Sequence, residues 1–67
     1  MNLNLTKREI QVVLLLCEGF SSSQVAKHLQ ISVNTAETHR SNILRKLGFD
    51  NTILLVRWAI RKNLIAA

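Results

Sequence analysis

Proline is absent from this 67-residue chain, and its two glycines, Gly19 and Gly48, both stand where a helically periodic apolar segment stops. Proline breaks helices, and glycine in a left-handed conformation closes them, so this placement predicts uninterrupted helices with two marked ends. No stretch alternates apolar and polar residues with period two for long enough to suggest a strand. The expected fold class is all-α: a compact four-helix domain, with helices over about residues 6–18, 22–29, 33–47 and 51–63 of a single 1–67 domain.

The predicted starts carry their own chemistry. Thr6-Lys7-Arg8-Glu9 has capping-box spacing, with Leu5 and Ile10 placed as a hydrophobic staple. Ile10, Val13, Leu14 and Cys17 then recur at i, i+3, i+4 and i+7, a stripe expected to face the core. Ser21 and Gln24 repeat the box spacing before a short helix whose inward residues are Val25, Ala26 and Leu29. Gln30-Ile31 forms a tight turn, Ser32 caps the third helix, and Asp50 or Asn51 caps the fourth.

Size and charge narrow the function. A chain of this length has little room for a deep catalytic pocket, and Cys17, His28, His39 and the four carboxylates have no spacing that forces a catalytic or metal-binding group together. An enzyme is therefore not expected, nor a metal site. The longest apolar run, Val12 to Cys17, is six residues, far short of the ~20 of a membrane helix. No signal-peptide pattern opens the chain, and the single cysteine suits a reducing, cytoplasmic setting. A net charge of +5 points to a polyanionic partner.

A short helix, a brief turn and a longer helix make a helix-turn-helix arrangement. On the third helix Ala36, Ile43 and Leu47 fall together, flanked by His39, Arg40 and Leu44. The opposite face carries Asn34, Glu37, Thr38, Ser41, Asn42 and Arg45, followed by Lys46. Short donors and acceptors with a cation beyond them are what base edges and bordering phosphates require.

The fragments Leu5-Thr6-Lys7-Arg8-Glu9, Glu18-Gly19-Phe20-Ser21, Val25-Ala26, Leu29, Ile31-Ser32, Thr35-Ala36-Glu37-Thr38-His39, Asn42-Ile43 and Lys46-Leu47-Gly48, in that order, resemble the LuxR/FixJ-type DNA-binding domain. That domain is the transcriptional output module of many bacterial response regulators and quorum-sensing receptors. The resemblance covers about Leu5 to Ile65. It implies helices two and three as the helix-turn-helix, a fourth helix that dimerises, double-stranded DNA as partner, RNA polymerase as a candidate partner, and neither catalysis nor a cofactor. The chain departs from the family pattern at Ala36, where a branched aliphatic residue is common, at Glu37, where Lys is frequent, and at Thr52, where Arg is frequent.

Glu37, Thr38 and Ser41 match the family's base-reading positions, and Asn34 shares their face. Glu37 has a second reading as a surface ion pair with Arg40, three residues on. Thr35, Arg45 and Lys46 are the expected phosphate contacts, with Ser22 and Ser23 at the start of helix two, where capping and solvation is the plainer reading. Arg45 equally complements a helix C-terminus. His39 reads as a partly buried structural histidine, and Cys17 as a small core hydrophobe. On helix four, Leu54 and Trp58 at i, i+4, rimmed by Arg57 and Arg61, form the expected dimer surface, with Trp58 completing the core as the other reading. One rival function is a small helical protein-interaction module using the Leu54/Trp58 surface. A single-strand or RNA reader is disfavoured, because Phe20, Phe49 and Trp58 all lie off the outer face of helix three.

Overall fold

The computed structural model describes residues 5–64. Four helices follow one another: α1 Lys7–Cys17, α2 Ser22–Leu29, α3 Val33–Leu47 and α4 Thr52–Arg61. Among the described residues there is no strand.

Every helix start is satisfied by a side chain from its own sequence. Thr6 and Glu9 form a reciprocal capping box: Glu9 N–H donates to Thr6 Oγ1 at 3.1 Å and Thr6 N–H to Glu9 Oε1 at 2.9 Å. Ser21 and Gln24 do the same for α2, at 3.2 and 2.8 Å. Ser32 caps α3 through the Thr35 N–H, and Asn51 rather than Asp50 caps α4 through the Leu54 N–H. Each such cap is worth on the order of 1 kcal/mol.

The helix ends share one closing geometry. Gly19, Gln30, Gly48 and Asn63 all have positive φ, at 95°, 59°, 75° and 60°. The residue after each donates its N–H back across the last turn: Phe20 to Leu15, Ile31 to Ala26, Phe49 to Leu44 and Leu64 to Ala59, at 2.9–3.1 Å. This is the Schellman closure, in which an apolar residue follows the left-handed one. Phe20, Ile31 and Phe49 indeed pack against the core. A Cβ would meet nothing at either glycine, so their role is conformational rather than a matter of space. Helix α4 thus ends at Arg61, short of the expected Asn63, because Asn63 is the residue that turns left-handed.

One cluster unites the helices: Val12, Val13, Leu15 and Leu16 of α1, Val25 and Ala26 of α2, Ala36, Ile43 and Leu44 of α3, and Leu55 of α4. Helix α1 packs against each of the other three, and α2 and α3 form the most extensive pairing. The small Ala36 of α3 is sealed within this core. The expected stripe on α1 requires correction. Val13 is buried, but Leu14 is 37% exposed and Ile10 and Cys17 are only half-buried; the interior face is Glu9, Val12, Val13, Leu15 and Leu16. That face is rotated because it includes a carboxylate, which a purely apolar stripe leaves out.

Candidate nucleic-acid interface

The three residues Gln30, Ile31 and Ser32 join α2 to α3. Left-handed Gln30 reverses the chain, Ile31 plugs into the core, and Ser32 starts the next helix. Helix α3 is then held on one side by Ala36, Ile43 and Leu44, all buried, with Leu47 packed beside them. On the other side Asn34, Thr35, Glu37, Thr38, Ser41 and Arg45 are exposed, and Asn42 is half-buried. Helix α3 is thus sharply divided into an apolar anchor and a polar outer face.

The hydrogen bonds on that face are largely local. Ser32 Oγ donates to Thr35 Oγ1 at 2.8 Å, and Thr38 Oγ1 donates to the Asn34 carbonyl at 2.9 Å. Arg45 donates through Nη2 to Asn42 Oδ1. Glu37 Oε1 lies 3.6 Å from Arg40 Nε, so the ion pair weighed for Glu37 is present, between two partly exposed side chains. Pairs of this kind contribute only a few tenths of a kcal/mol, roughly 0.2–0.5, and separate readily for a partner.

Lys46 is placed differently from the other expected phosphate contacts. Its Nζ donates to both oxygens of Glu9, at 2.8 and 3.0 Å, bridging the end of α3 to the start of α1. Glu9 is 4% exposed, and its carboxylate also accepts from Thr6. The Lys46 hydrogen bond is the main cause that holds the Glu9 carboxyl below its usual value, against the opposing effect of burial. Two ion pairs therefore form among the described residues, and the remaining Lys and Arg side chains enter neither. Ser22 and Ser23 occupy the first turn of α2, Ser22 half-buried and Ser23 exposed.

On α4, Phe49, Leu54, Arg57, Trp58 and Arg61 line a shallow groove of about 240 Å³. Trp58 is half-buried, packs against the core and meets Phe49 edge-on with centroids 6.2 Å apart. It thus serves the core and still borders the groove. Leu54 is 37% exposed, and its neighbour Ile53, outside the i, i+4 spacing of Leu54 and Trp58, is 71% exposed. Phe49 adds an aromatic wall to this groove that the spacing of α4 alone does not predict; its place directly after Gly48 is the sequence signal for it.

His39 is half-buried on the flank of α3, and burial pushes the Cys17 thiol up. Among the described residues no three His, Cys, Asp or Glu side chains gather as a metal site, and no helix is long and apolar enough to cross a membrane.

The profile described as "bacterial regulatory proteins, luxR family" matches residues 3–59. Oxygen regulatory protein NreC of Staphylococcus aureus, in strains JH9, JH1 and NCTC 8325 / PS 47, is 36% identical over 61 residues. That match covers 91% of this chain and 28% of the relative, so the chain spans little more than a quarter of the length of the curated relatives it matches.

Proposed function

The chain belongs to the luxR family of bacterial regulatory proteins, and from that premise we propose that its 67 residues are a single helix-turn-helix domain that binds double-stranded DNA sequence-specifically for transcriptional control. The observation that carries the reading is the free polar side of α3, opposite a fully buried Ile43 and Ala36. In this reading α3 enters the major groove, where Asn34, Glu37, Thr38 and Ser41 meet base edges. Ser22, Ser23, Thr35 and Arg45 hold the flanking phosphates, with backbone N–H groups of the first turn of α2 assisting. Lys46 has one of its three N–H donors left for a phosphate once Glu9 has taken two. Its charge is largely spent on that carboxylate.

The groove around Leu54, Arg57, Trp58 and Arg61, with Ile53 beside it, is the surface through which two copies associate. A twofold dimer would set two α3 helices on half-sites about one DNA turn apart. The partners are then double-stranded DNA, a second copy and RNA polymerase, in the bacterial cytoplasm where these meet.

Selection of bound sequences from random duplexes, run at two salt concentrations, tests the reading. The wild-type chain is expected to enrich a defined half-site, with affinity falling steeply as salt rises. Thr38→Ala with Ser41→Ala should flatten the enriched sequence while leaving the salt slope intact. Arg45→Met should lower the slope by about 0.9 per phosphate lost and leave the sequence preference in place. If the double variant selects as sharply as wild type, the Leu54/Trp58 surface becomes the functional site and the chain a protein-interaction module.

A further inference from the structure

The polar side chains of α3 are not equally available for hydrogen bonding. Thr38 Oγ1 has already given its hydrogen to the carbonyl of Asn34, one turn back, at 2.9 Å. Threonine commonly folds its hydroxyl onto the helix this way, and the two branches at Cβ must occupy different staggered positions. With the oxygen drawn against the backbone, the other branch, the methyl, is what an exposed Thr38 presents to a partner. Ser41 contrasts with it: it lies on the same face, is exposed, and its hydroxyl takes no part in the side-chain hydrogen bonds that engage Thr35, Thr38 and Arg45 among the described residues.

The difference has an energetic consequence on docking. A hydroxyl without an internal partner loses water in the groove and must find a base or phosphate there, or leave a polar group unsatisfied. A hydroxyl bonded to its own helix carries its partner with it and enters a dry contact at little cost. Apolar contact in the major groove has one principal target, the C5-methyl of thymine.

Resting on the DNA-docking reading, we propose that Thr38 specifies a thymine through methyl–methyl contact rather than through its hydroxyl. Thr38 then acts as a small apolar knob set among polar neighbours, and the hydrogen-bonding share of recognition falls to Asn34, Glu37 and Ser41.

The test uses the duplex selected by the full chain, with each thymine replaced singly by deoxyuridine, which removes only the C5-methyl. At one position the wild-type chain should lose about fourfold in affinity, the effect of withdrawing one methyl contact. Thr38→Val, which keeps the methyl and discards the hydroxyl, should retain that thymine preference. Thr38→Ser, which does the reverse, should bind the thymine and uridine duplexes equally. The proposal is overturned if Thr38→Val behaves as Thr38→Ser is expected to, or if no uridine position affects a duplex that the wild type binds well. Failure of the wild type to bind any duplex in dilute salt overturns the DNA-docking reading itself, and this inference with it.

Discussion

Lys46→Met is expected to destabilise the domain by about 2–3 kcal/mol at neutral pH, the largest effect of any substitution outside the apolar core. Breaking a buried ion pair by removing one partner costs about 3–5 kcal/mol, and the partial exposure of Lys46 reduces that figure. The carboxylate left behind is only 4% exposed and keeps just its Thr6 cap. Glu9→Gln should cost less, about 1 kcal/mol, because the amide oxygen can still accept from Thr6 N–H and from Lys46. The double variant should recover part of the Lys46→Met loss, since no charge is then stranded. Urea unfolding of the four proteins measures the coupling directly; strict additivity would mean that the two groups do not act as a pair.

The same pair sets a pH dependence with a definite sign. Glu9 has a folded pKa below its ordinary 4.5. The unfolded chain therefore takes up this proton first as the solution is acidified. Its stabilisation is complete above about pH 4.5 and is lost progressively as pH falls through that value and then through the lower folded one. Unfolding curves between pH 7 and pH 3 should be visibly flatter for Glu9→Gln than for wild type.

Ile43→Ala should abolish cooperative folding at room temperature. Ile43 is wholly buried and is among the largest side chains sealed in the core. Truncations of this type cost about 2–5 kcal/mol, while a core in a chain this short supplies only about 3–5 kcal/mol in total. Loss of DNA binding in this variant would therefore be a folding effect, recognisable by lost helical circular dichroism. Ile43→Val, at about 0.5–1.5 kcal/mol, should keep both fold and binding. Ser41→Ala, on the opposite side of the same helix, should shift the unfolding midpoint little and act on binding alone. A native-like melt for Ile43→Ala would show that α3 does not depend on this anchor.

How much of this was legible in the chain depended on whether the signal was local. Caps at Thr6, Ser21 and Ser32, and the stop at Gly48, were readable because each is decided within four residues. The apolar and polar sides of α3 were readable because their compositions differ sharply. Gln30 and Asn63 in the left-handed region were harder, since neither is glycine; the apolar Ile31 and Leu64 after them were the better clue. The orientation of α1 differs from its apolar stripe because its inner face contains Glu9, and hydrophobic periodicity places a carboxylate outside. What makes Glu9 an interior residue is Lys46, 37 positions away, and no local pattern reports such a partner. Ile53, in the first turn of α4, stands outside the Leu54–Trp58 spacing, and its 71% exposure has no local sequence signal.

The central position of α1 has a mechanical corollary. Helices α3 and α4 both rest on it, so the element that would choose a sequence and the element that would choose a companion share a common keel. Remodelling the outer side of α4 leaves the seat of α3 intact. Within such an architecture, the separation of two operator halves can be retuned without altering what either half spells.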